Sequence, residues 1–448
     1  MIGMRYELAG CGRPTSSDRG TDSRARQRGI LSTFCSRRRT LFALAPVLAL
    51  VTLSTAAVTP ALPASAAAPG GGGAGDGVRQ TKHGPLSPAD VDFLKKVRLA
   101  GLWEGPSGQQ AQVRSQSQAV RDTGIHLVSG HAELDAKVLA IGRELDVDLP
   151  VEPNKDQKAW MAEMTAANTP QEYDRVFVDR LRAAHGKVYG LVAQIRAGTR
   201  NSLIRSFSQR TMTVVLDHIT MLERTGLVDW SKIPFPPDPN GTPGSNLVQT
   251  AHGPMTDSGR DFLVKVRLAG LWEGPSGRQA QERSNTDAVK ETGQHLIDGH
   301  AELDAKVIAI AAELGVPLPD EPNADQKAWM AEMTAANSPQ EYDRVFVKRL
   351  RAAHGKVYGL VAKIRAGTHN ELIRSFATRT MEIVLDHIVM LERTGLVDFD
   401  SLPPPPAPEA AQAGLLGGTK SVNIYLVIAM IAIAAVMTLV ARQKFYRI

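Results

Sequence analysis

The feature that most constrains this chain is its internal repetition. The segment TKHGPLSPADVDFLKKVRLAGLWEGPSG, starting at Thr81, returns as TAHGPMTDSGRDFLVKVRLAGLWEGPSG from Thr250. WMAEMTAANTPQEYDRVFVDRLRAAHGKVYGLVA, starting at Trp160, returns almost unchanged from Trp329. Both pairs share an offset of 169 residues. Two copies of that length are a duplicated domain rather than a solenoid, whose repeats run to roughly 20–50 residues. Any fold must therefore close on itself within one copy.

Each copy reads as all-helical, because apolar residues recur at spacings of three and four and no stretch alternates as a strand would. A first long helix opens at Ser87-Pro88, with Ser as N-cap and Pro in the first turn. A second runs from about Ala119 to Asp146, and a short helix surrounds Trp160. A third opens at Thr169-Pro170-Gln171-Glu172, a capping box, and ends at Gly198. The fourth begins near Asn201 and stops at Gly226. The first and second helices are joined by a short connection, as are the third and fourth, so each pair forms a hairpin. More than twenty residues separate the second from the third. Two hairpins joined by one crossover is the plan of a ferritin-like four-helix bundle.

The core stripes carry groups that a core normally excludes. On the first helix the stripe is Phe93, Val97, Ala100 and Glu104. On the second it includes Leu127, His131, Leu134 and Val138. On the fourth it includes Phe207, Thr211, Val214 and His218, and on the third His185 flanks Ala184. All four ionisable groups lie near mid-helix, so one layer of a bundle collects a carboxylate and three imidazoles. The second copy repeats them as Glu273, His300, His354 and His387. Ten of the eleven histidines fall into matched pairs, and His369 alone has no counterpart.

Two readings fit this layer. One is a site for a single transition-metal ion or a small ligand in each bundle, since three His and a carboxylate suit zinc, iron, copper or manganese. The other is a structural polar layer, with each imidazole paired to Glu104, a nearby Asp or a backbone carbonyl. Asp135, four residues after His131, is in reach to orient it, with a plain surface acid as the equal alternative. His126 and His295 read as solvated boundary residues, Asp217 and Asp386 as water-facing, His83 and His252 as loop residues, and Trp103 and Trp160 as packing aromatics. Pro106 follows Glu104 by two residues and cannot donate to the carbonyl of Leu102, so the first helix is expected to bend or restart there.

Charge is unevenly placed. The first 66 residues hold nine Arg, no Lys, two Asp and one Glu, which accounts for the whole net charge of +6. The remainder is balanced, so charge gives no support to a nucleic-acid partner. Both cysteines, Cys11 and Cys35, lie in this presequence, leaving the rest without thiol chemistry. The basic block Arg37 to Arg39, the apolar run after it and ASA at 64–66 read as a signal peptide, with an uncleaved membrane helix as the rival. The run VNIYLVIAMIAIAAVMTLV, Val422 to Val440, is long enough to span a bilayer, and Arg442, Lys444 and Arg447 follow it. By the positive-inside rule that tail is cytoplasmic and everything before it lies outside.

The chain therefore divides into a presequence at 1–66, a flexible linker at 67–85, a bundle at 86–230 and a Pro/Gly-rich linker at 231–254. A second bundle at 255–399, a Pro-rich stalk at 400–420, a transmembrane helix at 421–441 and a basic tail at 442–448 follow. No P-loop, dinucleotide fingerprint, HExxH or Gly-x-Ser-x-Gly motif is present.

The segments HLVSGHAELDAKVLAIGRELDVDLP, EYDRVFVDRLRAAHGKV and VLDHITMLE resemble the bacterial exported domain-of-unknown-function family numbered 4142, which is related to the ferritin-like superfamily. The resemblance covers 86–230 and 255–399. It implies that the helix-borne His pattern corresponds to His131, His185 and His218, with Glu104 at the acidic position of the first helix. The chain departs from di-iron ferritins, whose Glu-x-x-His motifs would need acids where Val128 and Val215 stand. Ferroxidase activity is therefore not expected. The functions that remain are a metal- or small-ligand-binding envelope module, a structural or partner-binding ectodomain, and a metal-dependent oxidoreductase.

Overall fold

In the computed structural model the described residues are 77–239, 241–244 and 246–408. The presequence, the membrane run and the basic tail lie outside them. No helix among the described residues is long and apolar enough to cross a membrane.

The first repeat contains α1 (Pro88–Arg114), α2 (Gln118–Glu144), α3 (Lys155–Ala166), α4 (Pro170–Gly198) and α5 (Ser202–Arg224). The second contains α6 (Asp257–Arg283), α7 (Asp287–Leu314), α8 (Ala324–Ala335), α9 (Pro339–Gly367) and α10 (Glu371–Arg393). These are ten α-helices with no β-strand among the described residues. The helix ends follow their capping chemistry. Ser87 accepts from the Asp90 amide while Asp90 accepts from that of Ser87. Asn201 accepts from the amides of Leu203 and Ile204, and α5 stops before Gly226, whose φ of +70° suits a residue without Cβ. At α4 the reciprocal box is displaced by one residue, because the Glu172 carboxylate accepts from Asn168 rather than from Thr169.

Within a repeat, α1 packs on α2, α2 on α5, α5 on α4 and α4 on α1, so the four long helices close a ring, and α6, α7, α10 and α9 do the same. Pro106 does not divide α1, which runs unbroken through it. The hydroxyl of Ser107 donates to the Trp103 carbonyl at 2.7 Å, and Ser276 repeats this at Trp272. The glycine two residues after the proline fixes the crossing with α2. A Cβ on Gly108 would lie 2.6 Å from the Gly124 carbonyl oxygen, and one on Gly124 equally close to that of Gly108. The two backbones touch there, which draws Glu104 toward α2.

The repeats share one core, which the sequence reading did not anticipate. Leu134, Phe207 and Tyr189 of the first belong to the same buried cluster as Phe262, Tyr358 and Val361 of the second. The join is α4 against α9. For this reason α4 buries two faces: Arg182, Tyr189, Val192 and Arg196 are buried, while Ala184, Val188 and Leu191 of the expected stripe are only half-buried.

Arginines cross the join. Arg196 makes two bonds of 2.9 Å to Glu392, and Arg365 makes bonds of 2.9 and 2.8 Å to Glu223. Arg182 adds a bond to Glu223 and one to the Ala366 carbonyl, and Arg351 mirrors this with Glu392 and Ala197. Burial would raise the Glu223 carboxyl, but Arg365 and its neighbours outweigh that and hold it below the ordinary value. The segments after each repeat also cross over. The chain at Pro234 lies against Gly367, and that at Pro403 against Gly198. His369, without a counterpart in the first repeat, donates to the Ile233 carbonyl at 2.8 Å and packs on Phe235. Within the described part of the Pro-rich segment, Leu402–Pro406 lie against Gly198 at the end of α4 and beside α9, where the repeats meet.

Removing one partner of a buried ion pair strands the other charge. Glu392→Gln is expected to lower the unfolding free energy by about 3–5 kcal/mol in denaturant titration, since Arg196 and Arg351 are both buried. A loss within the scatter of surface substitutions would refute the account of the join.

Candidate metal centre

Glu104, His131, His185 and His218 meet in the middle of the first bundle, one from each long helix, and all four are buried. The Nε2 atom of His131 lies 2.7 Å from Oε2 of Glu104, and Nε2 of His185 lies 3.1 Å from the same oxygen. Nε2 of His185 is 3.1 Å from Nδ1 of His218. In the second bundle the distances from Glu273 to His300 and His354 are 2.8 and 3.2 Å, and His354 stands 3.1 Å from His387. In each bundle the three imidazoles offer ligand atoms within 4.8 Å of one another.

Two backbone carbonyls decide which nitrogens point inward unprotonated. Nδ1 of His185 is 2.9 Å from the Leu181 carbonyl, one turn back on its own helix. A carbonyl only accepts, so Nδ1 carries the hydrogen and Nε2 is a lone pair. Nε2 of His218 likewise donates to the His126 carbonyl at 3.1 Å, leaving a lone pair on Nδ1. The two lone pairs face each other, and neutral imidazoles in these tautomers have no proton to place between them. The second bundle repeats this arrangement, with the Leu350 and His295 carbonyls as acceptors. Donating the outer N–H to a backbone carbonyl while the inner nitrogen faces a shared point is how protein imidazoles are held for a metal.

The outer side of the rings is thus satisfied by backbone carbonyls, while on the inner side the lone pairs of His185 and His218 face each other. His131 leaves a further unmet group, since its Nδ1 has no hydrogen-bond partner, as is also true of Nδ1 of His300. In the first bundle the close approach of Glu104 to His131 lacks hydrogen-bond alignment, and both atoms count as unpaired. Metal–imidazole distances of about 2.0–2.1 Å put tetrahedral ligand atoms roughly 3.3 Å apart, close to the His185–His218 and His185–Glu104 spacings of 3.1 Å, while the three imidazoles as a set lie within 4.8 Å. The donors fit a first-row transition metal. They leave little else: a void of about 10 Å³ beside Glu273, His300 and His354 has room for an ion or at most one water.

Burial dominates the titration of this layer. It pushes the Glu104 carboxyl up to about 7, with His185 partly opposing, and Glu273 likewise. It pushes His131 and His185 down to about 4 and His218 to about 3, and the second bundle follows.

Two glycines contribute that the sequence reading passed over. A Cβ on Gly130 would lie 2.5 Å from Nε2 and 2.8 Å from Cε1 of His218, and Gly299 repeats this at His387. The absent side chain gives the imidazole of α5 its place beside α2. The signal was the dipeptide Gly-His in both copies, legible only once α2 and α5 are known to touch. Another expectation is corrected. Asp135 does not orient His131, because its carboxylate is taken by Arg98. Asp217 is exposed as expected, and it also pairs with His126 at 3.0 Å, both about half exposed. His126 is a boundary residue as expected, yet its carbonyl serves His218. His83 and His252 lie in loops, paired with Glu144 and Glu313, and Trp103 packs against Trp160 with ring centroids 5.2 Å apart.

The metal-free chain is expected to be acid-sensitive. Each clustered histidine has a folded pKa below its ordinary 6.5, so the unfolded chain binds more protons between about 4 and 6.5, and stability falls as pH drops through that window. Glu104 and Glu273 act oppositely between 4.5 and about 7, but three histidines oppose one glutamate in each bundle. Denaturant midpoints should therefore fall from pH 6.5 to pH 4.5 in metal-free protein, and less steeply in a His218→Asn, His387→Asn variant. An equal slope in both would contradict the assignment.

A family model, the domain of unknown function DUF4142, matches the chain twice, over residues 78–225 and 245–394. No curated protein and no solved structure matches the chain. The two matches cover well over half of the sequence and contain every member of both clusters. The chain therefore belongs to the family described as domain of unknown function DUF4142, in two tandem copies.

Proposed function

We propose that each repeat binds one first-row transition-metal ion inside its bundle. His131, His185, His218 and Glu104 hold it in the first repeat, and His300, His354, His387 and Glu273 in the second. The observation that carries this reading is the pair of facing lone pairs on His185 and His218, each fixed by a carbonyl behind it. A proton is a poor substitute for a metal there, because burial disfavours the imidazolium. The carboxylate brings the compensating negative charge. A bound ion would supply Lewis-acid or redox capacity according to its identity, while the chain supplies a closed donor set. The tightness of the layer favours an ion over an organic ligand.

We read the bundles as ferritin-like from their connectivity, two hairpins and a crossover. We further propose that they stand outside the cell on a single-pass protein, with an export signal in residues 1–66, an anchor at 421–441 and a cytoplasmic tail at 442–448. That placement rests on the apolar run and on Arg442, Lys444 and Arg447 after it.

Protein purified without a polyhistidine tag should carry two ions per chain by elemental analysis, matching its two histidine clusters. His131→Ala with His300→Ala should abolish loading. Gly130→Ala with Gly299→Ala should displace the facing imidazoles and weaken binding by about 10–100-fold, the range for groups that orient a ligand. Glu104→Gln with Glu273→Gln should weaken it as well. Absence of metal in wild-type protein, with the variants merely less stable, would establish a purely structural layer instead.

A further inference from the structure

Away from the histidine clusters, a groove of about 630 Å³ follows α9 where the repeats meet. We propose that it binds the anion of a long-chain fatty acid. The groove takes in α9 from Arg349 to Ile364, about 22 Å of helix at 1.5 Å per residue. Leu360, Ile364 and the extended segment Leu402–Pro406 give it an aliphatic lining. A furrow of that length with a largely apolar lining suits a single acyl chain, and its volume lies in the range of roughly 300–1,000 Å³ that holds one small ligand.

The charges in the groove have one sign. Arg349, Arg351, Lys356 and Lys363 line it and no carboxylate does. Arg349 is paired with Glu332, but Lys356 and Lys363 have no ion-pair partner among the described residues. Arg351 is buried, yet its Nη1 has no hydrogen-bond partner. That nitrogen lies over Gly355, where a Cβ would come within 3.0 Å of it, and Gly355 itself lines the groove. The glycine keeps a Cβ from standing between the buried guanidinium and the groove, as Gly186 does beside Arg182 in the first repeat. A buried N–H without an acceptor calls for one, and a carboxylate is the acceptor that a guanidinium matches best. The acyl body answers the furrow, and the head answers Arg351, Lys356 and Lys363.

The site is asymmetric between repeats. Gln194 stands in the first repeat where Lys363 stands in the second. Lys363→Gln therefore installs a side chain that the fold already carries at the matching position, which makes it a mild probe.

The full chain is irradiated with a photoreactive palmitate bearing a diazirine on its acyl chain, and the labelled peptides are mapped by mass spectrometry. Label is expected on α9 and on Leu402–Pro406, and excess palmitate should displace it. Lys356→Gln with Lys363→Gln, and separately Gly355→Ala, should each lower that labelling by about tenfold, the loss of one hydrogen bond to a charged group, at unchanged helix content. No label, label elsewhere, label in the groove that ignores both variants, or capture only of a diacyl phospholipid probe in vesicles would each overturn the proposal. Labelling that appears only after removal of the residues beyond 408 would overturn it too, by showing that the chain itself fills the groove.

Discussion

A charge or lone pair taken out of water inside a helical bundle must meet its complement there, and that demand organises this molecule at two levels. Between the repeats, Arg182 and Arg365 converge on Glu223 while Arg196 and Arg351 converge on Glu392. Each repeat thus supplies the carboxylate that the arginine of the other requires. Inside each repeat the two facing imidazoles do not complement each other. The inward nitrogens of His185 and His218 have lone pairs only, and a neutral neighbour cannot satisfy both. One level of the fold is closed by the chain itself, and the other would be closed by the ion proposed above.

Geometry links the two levels through glycine. Gly108 and Gly124 let α1 and α2 touch, which brings Glu104 to His131. Gly130 lets the imidazole of His218 lie against α2. Gly198 and Gly367 let the proline segments run against the ends of α4 and α9. The peptide GLWEGPSG condenses this logic: a carboxylate for the centre, then a small residue where the backbones must meet. Its proline leaves the helix whole, and the nearby Ser107 hydroxyl bonds the Trp103 carbonyl in the same turn.

Much of this was legible before any coordinates. Ser87, Thr169 and Asn201 announced the helix starts, because N-caps act through bonds to residues two or three positions away. The layer of Glu104, His131, His185 and His218 followed from helical spacing and mid-helix position. What escaped the sequence depended on groups far apart in the chain. Arg182 and Arg196 carry no local signal of burial, since nothing near them in the chain says that α9 will cover them. Gly130 carries no local signal either, because its partner, His218, is on α5. Asp135 had the right spacing to reach His131, but Arg98 claims it from a neighbouring helix. Spacing along one helix fixes which face a residue occupies, not which competitor arrives first from another.

The crossing of the repeats also sets an order in time. Arg196 is paired with a carboxylate 196 residues downstream, and at roughly 5–20 residues per second the ribosome needs on the order of 10–40 s to deliver it. During that interval the first repeat exists with Arg196 of α4 lacking its Glu392 partner and one side of its core open. If the chain is threaded through a membrane as it grows, the incomplete half is the part that arrives first. A helper that shields an exposed, positively charged helix face for tens of seconds would find its client in that half-built state, and would lose it once α9 docks.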